Sequence, residues 1–141
     1  MILVPVHFVW STWGRLPLIT EEGERRLWRY IEATCRDLHC DVLAVGGMPD
    51  HVHLLVNLAP TLSLADLMKR VKGSSARFMS VELREGEWFR WQAHYGAFGV
   101  APSGVDAVVR YIANQKTHHQ AGALRPELER CDAEDDNDGA S

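Results

Sequence analysis

Asp41-Val-Leu-Ala-Val-Gly-Gly-Met-Pro-Asp-His-Val-His-Leu-Leu-Val-Asn-Leu58 reads as a strand, a turn and a returning strand. Asp41 to Val45 is the outgoing strand, and Gly46 to Asp50 carries turn chemistry. His51 to Leu58 returns antiparallel to it. Side chains on a strand alternate between its faces. Val52, Leu54, Val56 and Leu58 therefore fill one face, and His51 and His53 share the other. Two neutral imidazoles placed in this way are a metal-ligand pair awaiting a third donor.

Before this hairpin, Ile2 to Trp10 is a β-rich run with Val4, Val6, Phe8 and Trp10 on one side. A loop through Gly14 and Pro17 leads to Thr20, which can cap a helix whose first turn carries Glu21 and Glu22. Leu27, Ile31, Thr34, Cys35 and Leu38 recur at helical spacing and give it a core-facing stripe. After the hairpin, Ser63 and Asp66 form a capping box for a second helix. Its stripe is Leu64, Leu67, Met68, Val71, Ser75 and Phe78. Gly73-Ser74-Ser75 within it is poor helix material and implies close packing or a bend. Tyr95 to Val100 is a fourth strand. Ser103 and Asp106 repeat the capping box before a third helix from Gly104 to Gln120. Right-handed crossovers then give a ferredoxin-like, split βαβ α+β fold with both core helices on one sheet face. The other face is left for His51 and His53.

The 141 residues are expected to form one domain, 1–123, followed by an acidic tail, 124–141. An apolar content of 46% with 24% charged residues is ordinary for a soluble globular protein. Three cysteines, Cys35, Cys40 and Cys131, lack the paired spacing of a zinc site, so neither that nor a disulfide framework is expected, and a cytoplasmic setting is. The first ten residues are apolar without a basic leader and break at Ser11-Thr12, which suits a strand and excludes a membrane span. The net charge of −4 belongs to the tail, where seven acidic residues oppose two arginines; the rest of the chain is near neutral. Cys131 to Ser141 has too little apolar surface to offset ordering entropy and is expected to be disordered.

On the third helix Val105, Val108, Val109 and Ile112 form an apolar stripe, and Tyr111 and Gln115 lie one turn apart on an adjacent face. Docking of that face over the sheet brings a phenol and a carboxamide oxygen to the imidazole pair. Two nitrogens and one amide oxygen leave positions free on Mg²⁺ or Mn²⁺, which suit phosphate oxygens. Tyr111 can then attack phosphorus, although a phenol with a pKa of about 10 needs nearby positive charge to be activated. Tyr30 and Tyr95 are rival nucleophiles, read as packing and strand support. His7, His39 and His94 have no partner by spacing and read as surface or core polar groups; His118 falls on the Tyr111 face near the helix end.

Lys69, Arg70, Lys72 and Arg77 fall within about 100° of helical arc, which fits a solvated face or a phosphate track equally well. Arg90 with Trp88 and Trp91 pairs a cation with aromatics. This suits stacking on unpaired bases, or else core and dimer contacts.

Pro49-Asp-His-Val-His-Leu-Leu-Val56 together with Tyr111-Ile-Ala-Asn-Gln115 resembles the HUH (His-hydrophobic-His) single-strand DNA transposases of the one-tyrosine kind, insertion-sequence and REP-associated enzymes. The resemblance extends to Val9-Trp-Ser-Thr12, Lys72-Gly-Ser-Ser-Ala-Arg77, Trp91-Gln92 and Tyr95-Gly-Ala-Phe98. It implies a ferredoxin-like homodimer that acts with a divalent metal, Mg²⁺ or Mn²⁺, on single-stranded DNA folded into hairpins. Carried over by position, it makes His51, His53 and Gln115 metal ligands and Tyr111 the nucleophile that forms a 5′-phosphotyrosine. Whether the tyrosine helix serves its own chain or the partner stays open. Two other classes compete. A non-catalytic single-strand binding module would use the same sheet face. A zinc hydrolase would need Asp50 as third ligand, although Asp50 alternates away from both histidines.

Overall fold

The computed structural model describes residues 3–83, 88–116 and 133–134. The predicted third helix beyond 116, His118 and the acidic tail outside 133–134 lie beyond the described residues. β1 (Pro5–Ser11) is buried along its whole length and pairs antiparallel with β3 (His51–Asn57) on one side and β4 (His94–Gly99) on the other. β2 (Asp41–Met48) extends the sheet beyond β3, and a two-residue β5 (Ala133–Glu134) pairs with β4, giving the order β2-β3-β1-β4-β5. The first four strands have the expected ferredoxin-like order. No helix among the described residues is long and apolar enough to cross a membrane.

α1 (Glu21–Asp37) begins where Thr20 Oγ1 accepts from Gly23 N–H at 3.0 Å, with three glutamates in its first turn against the helix dipole. α2 (Leu64–Phe78) begins where Ser63 Oγ accepts from Asp66 N–H at 3.0 Å. Leu27, Ile31 and Cys35 of α1 and Leu67, Met68 and Val71 of α2 pack on Val6, Phe8, Trp10, Val52, Leu54 and Val56 as a single core. Leu64, at the start of the predicted stripe, is instead exposed, because only the turns beyond it lie over the sheet. Burial pushes the Cys35 thiol up to about 12, with Cys40 and Glu32 adding to the effect, so this cysteine is a packing residue rather than a reactive one.

α3 (Val105–Ala113) lies over β2 and β3 on the sheet face opposite α1 and α2, and it ends at the non-helical Asn114 instead of running on without a break as predicted. The capping box expected from Ser103 and Asp106 does not form: a 3₁₀ turn, Pro102–Gly104, precedes α3, and Gly104 occupies the N-cap with no side-chain bond.

The turn expected over Gly46 to Asp50 is shorter than predicted, because β2 continues through Met48. The two glycines serve close approach instead. A Cβ on Gly46 would stand 3.2 Å from the Ile112 carbonyl oxygen of α3, and one on Gly47 would collide with the His51 carbonyl oxygen. Gly73, by contrast, would meet nothing within 4 Å if it carried a Cβ, and α2 runs through it without interruption. The close packing in that segment belongs to Ser75, whose Oγ accepts from Trp91 Nε1–H at 3.0 Å.

These contrasts predict opposite signs for two chemically identical changes. Gly47→Ala should destabilise the fold by about 2 kcal/mol or more through overpacking. Gly73→Ala should stabilise it by about 0.5–1 kcal/mol through helix propensity. Urea denaturation of both variants checks the pair; a neutral Gly47→Ala would contradict the hairpin geometry.

Candidate active site beneath the third helix

β3 turns His51 and His53 away from the core, and the register sets Ser11 of β1 opposite His51 and Val9 opposite His53. The two rings lie edge to face, with centroids 5.1 Å apart. α3 supplies the other half of the site. The Tyr111 ring stands edge-on to His53 with centroids 5.7 Å apart, and Gln115, one turn on, brings Oε1 to 3.1 Å from His51 Nε2. Tyr111, Gln115, His51 and His53 are all buried, so the sheet face expected to be open is covered by a helix of the same chain.

Each histidine is held through the nitrogen that faces away from the other half of the site. His51 Nδ1–H donates to Asp50 Oδ1 at 2.7 Å. Asp50 Oδ2 in turn lies 3.3 Å from Arg15 Nε. The hydrogen bond from His51, aided by charge on His51 and Arg15, holds the Asp50 carboxyl below the usual carboxylate range despite partial burial. His53 Nδ1 shares a proton with His7 Nε2 at 2.9 Å, and these two rings stack with centroids 5.1 Å apart. Such outer partners fix tautomer and ring orientation, leaving Nε2 of each ring to the site.

α3 is tied down on both sides of Gln115. Ile112 rests on the bare backbone of Gly46, and Lys116 Nζ donates to Glu24 Oε1 of α1 at 2.5 Å. A cleft of about 210 Å³, lined by Glu24, Trp28, Gly46, Gly47, Asn114 and Lys116 among others, opens beside Gln115.

The donor set fits a hard divalent ion. Nε2 of His51 and Oε1 of Gln115 lie 3.1 Å apart, and each can offer a lone pair to a cation. Octahedral bonds of about 2.1 Å put adjacent donors about 3.0 Å apart, close to the separation seen here. Among the described residues no group of three or more His, Cys, Asp or Glu side chains could hold a metal ion.

Known proteins share this chain's sequence pattern and fold. Residues 2–115 match the family model for IS200-like transposases. The chain belongs to that family. The ISDra2 transposase TnpA of Deinococcus radiodurans is 29% identical over 114 residues, covering 77% of this chain and 81% of that protein. A crystal structure of a transposase from Deinococcus radiodurans R1 superposes with a TM-score of 0.64 at 27% identity, over 82% of this chain and 92% of that one. The fold is also that of a REP-associated tyrosine transposase bound to a REP hairpin, with a TM-score of 0.62 at 16% identity, over 88% of this chain and 72% of that one.

In this IS200-like transposase His51, His53, Tyr111 and Gln115 come together as their spacing suggested. The basic residues do not join them. Lys69, Arg70 and Arg77 are exposed on α2, which packs on the opposite sheet face. Lys72 is no part of a surface track: it is fully buried, and its Nζ donates to the Gln92 carbonyl at 2.8 Å. Arg90 lies over the Trp13 ring at 4.3 Å, while Trp91, its expected neighbour, is buried against Trp10 and Phe89. Tyr30 stacks on Phe78, and Tyr95 packs near Phe8, so both rival tyrosines are structural. Asp50 bonds His51 through Nδ1, the ring nitrogen other than the one that faces Gln115. His7 is the residue that spacing could not find, because its partner lies 46 residues away across a strand pair.

The lowered Asp50 carboxyl carries a pH dependence. Its contribution to stability is fully present above the ordinary carboxylate pKa of about 3.9 and is lost as pH falls through the lower folded value. Asp50→Asn should therefore be less stable than wild type at pH 7, with the gap narrowing on acidification to pH 3. Denaturant titrations at several pH values measure this; a gap that widens at low pH would contradict the Asp50–His51 arrangement.

Proposed function

We propose that this transposase cleaves and rejoins single-stranded DNA beside a hairpin through a covalent 5′-phosphotyrosine on Tyr111, with His51, His53 and Gln115 holding Mg²⁺ or Mn²⁺. The observation that carries this reading is the meeting of Tyr111 of α3 and Gln115, just past its C-cap, with the two histidines of β3. When bound, the ion would polarise the phosphate and offset charge on its oxygens. The phenolic oxygen of Tyr111 attacks phosphorus, the bond to the 3′ oxygen breaks, and the proton lost by the phenol ends on the released 3′-hydroxyl. A phosphodiester is exchanged for another phosphodiester, so a second 3′-hydroxyl can reverse the step and join a new strand. Water as nucleophile would discard that reversibility.

Tyr111 and Gln115 are each 2% exposed, so the observed arrangement is closed. A phosphate reaches the phenol only when α3 lifts from β2 and β3, and the segment from Val100 through the Pro102–Gly104 turn is the place for that motion. Val105, Val108 and Val109 remain half-buried on α3, an apolar surface suited to a second copy of the chain in a homodimer. Hairpin DNA is carried over from the family and from the REP-hairpin complex of the structural relative. Lys69, Arg70, Arg77 and Arg90 are retained as candidate phosphate contacts.

Incubation of hairpin oligonucleotides, taken from DNA flanking the chain's own gene, with Mn²⁺ and denaturing electrophoresis tests the chemistry. Wild type should give a protein–DNA adduct bearing the 5′ phosphate, and Tyr111→Phe should give none while binding the hairpin as before. An adduct with Tyr111→Phe would remove Tyr111 from the role of nucleophile. A chelator should stop cleavage. His7→Phe, which keeps a ring but not the shared proton, should weaken Mn²⁺ binding about 10- to 100-fold by calorimetry. Unchanged Mn²⁺ affinity would deny His7 its part in orienting His53.

A further inference from the structure

The turn that leaves β1 beside the histidines is built more firmly than a connecting loop requires. Trp13–Arg15 is a 3₁₀ turn in which Gly14 has φ of +61° and Arg15, a non-glycine residue, has φ of +57°. Such a conformation at a side chain as large as arginine is uncommon and costly, and is kept only where surrounding contacts impose it. Here those contacts are many. Thr12 N–H donates to the Asp50 carbonyl at 2.9 Å, Trp13 N–H to the Arg90 carbonyl at 2.9 Å, and Gly14 N–H to Gln92 Oε1 at 3.0 Å. Arg15 reaches Asp50, the residue that orients His51. From inside, Lys72 of α2 donates to the Gln92 carbonyl and Ser75 accepts from the Trp91 indole N–H, which holds the segment this turn leans on.

The rigid turn displays a tryptophan to solvent. Trp13 is 40% exposed although it is among the most apolar side chains of the chain, and the Arg90 guanidinium lies 4.3 Å from its ring centroid. Trp88, two residues before Arg90, is also exposed. An indole paired with a guanidinium, held on a fixed backbone and exposed among the described residues, has the chemistry to stack an unpaired nucleobase while attracting the neighbouring phosphate.

We propose that Trp13 and Arg90 form a stacking platform for an unpaired base of the single strand that threads toward His51 and Tyr111. This rests on the single-stranded DNA reading above and adds to it a binding subsite for one base, independent of base identity. Arg15 of the same turn bonds Asp50, and Asp50 bonds His51, so the turn that carries the platform is joined to the site.

The test uses the full chain and two fluorescein-labelled probes, a dT 12-mer and an oligomer of equal length and charge with abasic residues in place of thymidine. Wild type should bind the dT 12-mer more tightly than the abasic one. Trp13→Ala should weaken dT binding roughly 5- to 150-fold, the range of a single base–aromatic stack, and leave abasic binding within twofold. Trp13→Phe should recover most of the loss. Equal losses for both probes, or unaltered dT binding, would overturn the platform while leaving the transposase reading intact. No binding of either probe by wild type would also overturn the platform, while the hairpin adduct assay tests the transposase reading separately.

Discussion

The two-residue period of β3 imposes opposite duties on its faces, and the remainder of the structure follows from that division. Val52, Leu54 and Val56 are committed to the core beneath α1 and α2, which forces His51 and His53 to the face that α3 covers. A slip of one residue would exchange the two sets. Two imidazoles would then enter an apolar interior, away from the partners that now hold their nitrogens. Register is thus set by burial, and the histidine positions are a by-product that the protein can rely on. The same logic holds for α3, where Ile112 lies on Gly46 and fixes which helical face looks down on the rings.

Around this frame the rings are steered by their far nitrogens. Asp50 takes the Nδ1–H of His51 and His7 pairs with Nδ1 of His53, so each Nε2 is left to the interior of the site. The proposed ligand set therefore depends on residues that would never touch an ion. Arg15 and the Lys116–Glu24 pair carry that steering outward to the first turn of α1 and the turn after β1. A fold otherwise held by apolar packing becomes polar and closely hydrogen-bonded at this one end.

Much of this was legible in the chain because local periodicity carried it. Alternation placed the strands, helical spacing placed α1 and α2, and the four-residue interval from Tyr111 to Gln115 put a phenol and an amide on one face. What escaped were contacts between distant segments. His7 stands alone in its own strand and acquires meaning only when β1 and β3 pair. Lys72 shares a helical arc with Lys69 and Arg70, but arc position does not reveal that a long side chain turns inward to the Gln92 carbonyl. Gly46 and Gly47 look like turn residues because glycine serves both tight turns and close approach, and only the neighbouring helix distinguishes the two. Trp91 was ambiguous for a similar reason: a tryptophan between polar residues can stack on a ligand or fill a core, and here it fills the core.

The proposed chemistry requires α3 and the residues just past its C-cap to deliver a phenol and a carboxamide to the imidazole pair of its own chain or its twin, around a shared cation. Anomalous diffraction from crystals grown with Mn²⁺ tests that requirement most directly. The expected result is a manganese peak bonded to His51, His53 and the Gln115 oxygen, with Tyr111 beside it. A peak elsewhere, or a Tyr111 remote from both rings in every subunit, would contradict it.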